Sequence, residues 1–264
     1  MSMKALAIAA TGMNAQQVNL EVIANNIANI NTTGFKRARA EFTDIMYETI
    51  QNHAVTLQAG LEVVPEGAKL GLGVKLAAIR DTHLQGVLNQ TGNSLDVAIN
   101  GKGWFQVTGP NGETQYTRAG AFNLNEEGQL VTVNGYLVDP QITVPTEASS
   151  VKISESGLVT ALVDGELVPV ELGQVTLSKF ANEAGLEPLG NNLFGETPAS
   201  GSPVQGSPGD TDYGVLHQGY LEASNVDAVK EIADMISAQR AYEMNSKVIQ
   251  AAEEMSNVVT QGIM

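Results

Sequence analysis

The chain has 264 residues, enough for one large or two ordinary domains with real cores. Only 16% of it is charged, against ~25% in ordinary globular proteins, and with 27 glycines this points to a turn-rich, β-rich surface. The net charge of −15 is concentrated in residues 46–221, with seven Lys and Arg against nineteen Asp and Glu. That balance argues against nucleic acid and anionic membranes as partners, and the lack of cysteine excludes disulfides and thiolate chemistry.

Residues 3–31 predict a helix. Leu6, Met13, Leu20 and Ile27 recur every seven residues, and Ala9, Gln16, Ile23 and Ile30 follow each by three. This is an a/d heptad with one polar interruption, Gln16. No charge falls within residues 5–20, and the opposite face carries Thr11, Asn14, Gln17 and Asn19. An exposed amphipathic helix shows charge to water. This one is therefore expected to be surrounded by other helices, from other copies of the chain. Gly12 costs ~1 kcal/mol relative to Ala, and Asn14, Asn19, Asn25, Asn26 and Asn29 are weak helix formers. The segment is expected to gain its order from packing, on assembly. Asn31-Thr32-Thr33-Gly34 supplies the stop. Lys4 and the apolar run after it resemble a secretory signal, but the run is shorter than the ~7–15 residues required. The heptad also continues through the small-residue site, so no cleaved signal is expected. No apolar run approaches the ~20 residues of a membrane span.

Residues 41–51, EFTDIMYETIQ, read as a short helix, and residues 46–73 as an extended connector. Through residues 74–220 the period changes to two. VKLAAI, LDVAI, WFQVT, TQYTR, QLVTV, GYLVD, SVKIS, GLVTALV, LVPVEL and QVTLSKF are strand candidates. Turn dipeptides such as Asn111-Gly112, Glu127-Gly128, Asn134-Gly135, Ser156-Gly157 and Asp164-Gly165 separate them. Residues 198–214 are loop by composition. Ser224 and Asn225 offer N-caps for a last helix reaching about Val259. Its seam is Ala241, Met244, Val248, Ala251, Met255 and Val258, shifting upstream to Val229, Ile232 and Ile236.

The fold class is α+β. Terminal helices pair as a coiled-coil-like core, and an antiparallel all-β domain is inserted between them. The divisions are residues 1–45 with 224–264, the connector 46–73, and the β domain 74–223.

Catalytic patterns are missing from the sequence. His53, His83 and His217 have no partners at metal-ligand spacing, so solvated or half-buried structural roles are the better reading. Gly101-Lys102-Gly103 lacks the rest of a phosphate loop, and Asp210-Thr211-Asp212 lacks the later ligands of a calcium loop. Trp104 and Phe105 read as core rather than a ligand platform. The chain is read as no enzyme and as taking no cofactor or metal.

At residues 24–36, ANNIANINTTGFK resembles the signature of the flagellar rod and hook family. Residues 219–247, GYLEASNVDAVKEIADMISAQRAYEMNSK, are similar to the family's other shared segment. SLDVAINGKGWFQV and YTRAGAFNLNEEGQLVTVNGYLV resemble its distal-rod branch. The resemblance covers the whole chain. It implies a helically stacked hollow shaft, with terminal helices inside and the β domain outside. It also implies export through the flagellar type III apparatus. The implied partners are further copies, proximal rod proteins, the hook protein, and the peptidoglycan and outer-membrane ring proteins. The resemblance also implies that residues 46–73 fall where rod proteins carry a segment that differs from the hook protein and helps make the rod straight and stiff.

The assembly residues implied are Leu6, Met13, Leu20, Asn25, Asn26, Ile27, Asn29, Ile30, Asn31, Gly34 and Phe35 at one end. At the other they are Arg240, Ala241, Tyr242, Met244, Asn245, Val248, Ala251, Met255 and Val258. The amides among them suit bridging bonds in a dry tube, and Arg240 and Tyr242 would bond or stack across subunits. The acidic middle would keep a rotating shaft from adhering to its rings. The alternatives are a hook or proximal-rod relative, and a secreted β-rich hydrolase or carbohydrate-binding module with helical anchors.

Overall fold

A computed structural model describes residues 2–51, 68–109, 112–164 and 168–261. Two long helices, α1 (Ser2–Ala28) and α2 (Ala228–Gln261), flank a large β region, as the periodicities predict. The chain divides into two compact units. One comprises Met1–Ile27, Ala38–Arg80 and Ala228–Met264; the other comprises Ala28–Arg37 and Asp81–Asp227. They are called here the helical unit and the β unit.

In the helical unit α1 packs through small, β-branched and amide side chains. Ala9, Ala15, Val22, Ile23 and Asn26 are buried along one stripe of it, which supplies the packing that its weak propensity lacks. Residues 41–51 correct the expectation of a short helix. Ala38–Asp44 is a strand paired with Val74–Asp81, and Tyr47–Gln51 is a strand paired antiparallel with Ala68–Gly71. Phe42, Thr43, Tyr47, Thr49 and Ile50 are β-formers, and partners about thirty residues on decide the matter. Residues 52–67 of the expected connector lie outside the described residues.

The β unit is built on Trp104–Thr108. One edge of this strand pairs with Thr114–Thr117. The other pairs with Leu177–Lys179 at its start and Leu137–Asp139 at its end. The sheet continues through Leu130–Thr132 to Phe122–Leu124, and through Leu193–Gly195 to Glu187–Gly190. Val204–Gly206 adds to Leu177–Lys179, so the expected loop 198–214 holds a short strand. A three-stranded sheet runs Ala148–Ile153, Leu158–Val163, Val170–Gln174. Every one of the ten expected strands overlaps an observed one. Gly128 and Gly135 adopt φ of +76° and +84° in their turns, the left-handed conformation that favours glycine.

Alternation along Trp104–Thr108 divides the core. Phe105 and Val107 enter the main cluster with Val97, Ile99, Val138, Val159, Leu177 and Leu216. Trp104 faces the other way, among Tyr116, Phe180, Leu186 and Phe194. Both aromatic residues are core, with Trp104 1% exposed.

Candidate assembly surfaces

Within the helical unit, α1 and α2 meet through small and polar groups. Asn245 lies so close to Gly12 that a Cβ there would sit 2.9 Å from its amide nitrogen. Asn26, fully buried, donates from Nδ2 to the Ala38 carbonyl at 2.8 Å and to Glu231 at 3.1 Å. Its Oδ1 accepts from the Ala38 N–H at 2.9 Å. One amide thus ties the end of α1 to the first strand and to the first turns of α2.

The heptad a positions lie off this buried stripe. Leu6, Met13, Leu20 and Ile27 are half-buried. On α2 the buried residues are Glu231, Ala238 and Ala252, in register with half-buried Asn245. The expected seam stands mostly outside. Met244, Val248, Ala251, Met255 and Val258 are exposed, as are Arg240 and Tyr242, while Ala241 is half-buried. The contact therefore uses small and amide residues of both helices, while the large apolar side chains of the α2 seam stay exposed. An apolar pocket of about 450 Å³, lined by Ile8, Gly12, Val74, Asn245 and Val248 among others, opens beside this contact.

The remaining signature residues lie at or just after the end of α1. Asn25 and Asn31 are exposed; Asn29, Ile30 and Phe35 are half-buried; Gly34 is buried. Asn29 accepts from the Thr32 hydroxyl at 3.1 Å, a local turn bond. Gly34 has φ +72°, and a Cβ on it would meet the Arg118–Ala119 backbone at 2.9 Å.

Sequence reasoning missed a buried ion cluster in the β unit. Glu222, 1% exposed, accepts from Lys36 Nζ at 2.6 Å, Arg118 Nε at 3.0 Å and the Gly86 N–H at 2.9 Å. Lys36 also donates to the Leu84 carbonyl. Arg118 donates to the carbonyls of Gly101 and Gly103. That glycine turn therefore presents acceptors inward, not the N–H groups a phosphate needs. Each of the three charges sits in a different segment quoted for the family resemblance, which was the available signal. Asn225 completes the clasp. It does not cap α2, which begins at Ala228. Its side chain accepts from the Arg37 N–H at 2.7 Å and donates to the carbonyls of Thr82 and Leu84.

Burial holds the Lys36 ammonium below its usual range, against the opposing pull of Glu222. His83 stacks edgewise on Trp104 and Phe194, with ring centroids 5.3 and 5.7 Å away. Burial, then the charges of Lys36 and Arg118, push its pKa down to about 4, so the imidazole is neutral at pH 7. Among the described residues, no group of three His, Asp or Glu is arranged to hold a metal ion. No described helix is long and apolar enough to cross a membrane.

Three family models match the chain. They are flagella basal body rod protein over residues 6–36, flagellar hook protein FlgE/F/G D1 domain over 98–161, and flagellar basal body rod FlgEFG protein C-terminal over 217–261. The flagellar basal-body rod protein FlgG of Agrobacterium fabrum is 60% identical over 261 residues, covering 99% of this chain and 100% of the relative. That of Borreliella burgdorferi is 46% identical, covering 97% of each chain. That of Bacillus subtilis is 40% identical, covering 92% of this chain and 93% of the relative. These are structural proteins and not enzymes. On its terminal segments, its middle and its full-length likeness to these relatives, the chain belongs to the flagellar basal-body rod protein family.

Proposed function

We propose that this chain is a structural subunit of the flagellar distal rod, self-assembling helically into the hollow drive shaft that carries torque to the hook. The observation that supports this reading is the exposed apolar face of α2. Ile232, Ile236, Met244, Val248, Met255 and Val258 are all exposed, at 46–69%. Each such side chain gains roughly 1.5–3 kcal/mol on full burial. A continuous stripe of them marks an interface. Contact between two different faces, repeated by a rotation that does not close, generates a helical filament.

Neighbouring partners on this reading are the proximal rod proteins, the hook protein, and the peptidoglycan and outer-membrane rings. The subunit arrives through the flagellar type III apparatus with its first helix uncleaved. A dense charge of one sign on the middle of the chain disfavours adhesion at any fixed angle.

The test is assembly of purified protein at high concentration, viewed by electron microscopy. Straight hollow filaments are expected, and curved ones would favour a hook-type subunit. Met244→Glu and Val248→Glu should leave the monomer's circular dichroism unchanged and abolish filaments. Filaments formed equally well by both variants would overturn the reading.

A further inference from the structure

The β unit carries six Lys and Arg against eighteen Asp and Glu over residues 28–37 and 81–227. Two copies approaching through such units repel each other wherever their charges face. Close contact is favoured where charge is missing. Among the described residues a concave patch meets that condition. A pocket of about 450 Å³ is lined by twelve residues without a single charge, four of them asparagines and four threonines.

The pocket is well built. Asn192 donates from Nδ2 to the Thr33 carbonyl at 2.7 Å, and its own carbonyl accepts from the Thr117 hydroxyl at 2.9 Å. These bonds fix the wall between the residues just past α1 and the turn at Asn191-Asn192. On the rim stands Val133, an apolar side chain 71% exposed, beside the Asn134-Gly135 turn.

The lining selects against other occupants. It offers no cation to a phosphate or carboxylate and no aromatic ring to a sugar or base. A basic protein would be drawn to the acidic surface elsewhere. Short amides and hydroxyls suit the peptide groups of an extended chain. Asn29, Thr32 and Thr33 make the pocket continuous in sequence with the α1 residues already assigned to assembly. We propose that this uncharged pocket is a docking site for the β unit of a second copy of the chain. The proposal rests on the self-assembly reading above and adds a specific second interface to it.

The chain has no cysteine, so Val133→Cys gives a protein with one thiol. Val168→Cys, at a site equally exposed in the subunit, serves as the reference. Both are reacted with a maleimide-polyethylene glycol as monomer and as sedimented filament. Position 133 should react at least tenfold more slowly in the filament while position 168 keeps its monomer rate. Unchanged reactivity at 133, or equal protection at both positions, overturns this inference and leaves the assembly reading standing. Failure of the unsubstituted chain to form any filament overturns both.

Discussion

Replacing Glu222 by glutamine removes one negative charge from a site that holds two buried cations. The side-chain volume is kept, so packing is not the issue. The glutamine oxygen can accept from Lys36 or from Arg118, and its amide N–H then faces the other donor. Breaking a buried ion pair from one side costs ~3–5 kcal/mol. The lower end is expected here, about 3 kcal/mol, because burial already lowers the Lys36 pKa and lets that lysine shed its proton. For a chain of this size that corresponds to a fall in Tm of roughly 6–12 °C.

Trp104, the chain's sole tryptophan, lies 6.0 Å from the Arg118 guanidinium and reports unfolding of the β unit by fluorescence in urea. The variant should also show a steeper alkaline dependence. Between its lowered folded pKa and the ordinary lysine value of 10.5 the unfolded chain binds more protons, so stability rises with pH and the gap to the parent narrows. A loss below ~1 kcal/mol at pH 7, the worth of an exposed pair, would refute the reasoning.

Other outcomes follow from the same geometry. Asn26→Ala strands the N–H and carbonyl of Ala38, and should cost about 2–4 kcal/mol, read by urea unfolding followed by far-ultraviolet circular dichroism. Gly34→Ala forces a left-handed alanine against the Arg118–Ala119 backbone, and should cost at least ~1–3 kcal/mol in the Trp104 assay. As pH falls from 6.5 towards 4, the unfolded chain takes up a proton that folded His83 refuses, so stability is lost on acidification. The loss is about 2 kcal/mol after discounting for partial exposure. His83→Phe should remove that component, measured as the difference in slope between the two proteins. Equal slopes would show that the folded imidazole titrates freely.

The sequence by itself determined the two helices, their extents to within a few residues, and the ten main strands between them. Heptad recurrence and alternation are local properties. They survive in any context because side-chain direction repeats with the backbone. The stopping signals were equally local, as at Asn31-Thr32-Thr33-Gly34. The residues also placed the family motifs.

The tertiary structure alone decided which face of each helix is covered. Periodicity says which residues share a face and not what the face meets. Small and amide residues turn inward here, at Gly12, Asn26 and Asn245, and the large apolar ones of α2 stay outside. Residues 38–51 became strands because partners at 68–81 pair with them, and β pairing depends on distant segments more than on propensity. The ion cluster was beyond local reading for the same reason. Lys36 and Arg118 lie 186 and 104 residues from Glu222, and no spacing rule joins residues that only the closed fold brings to 3 Å.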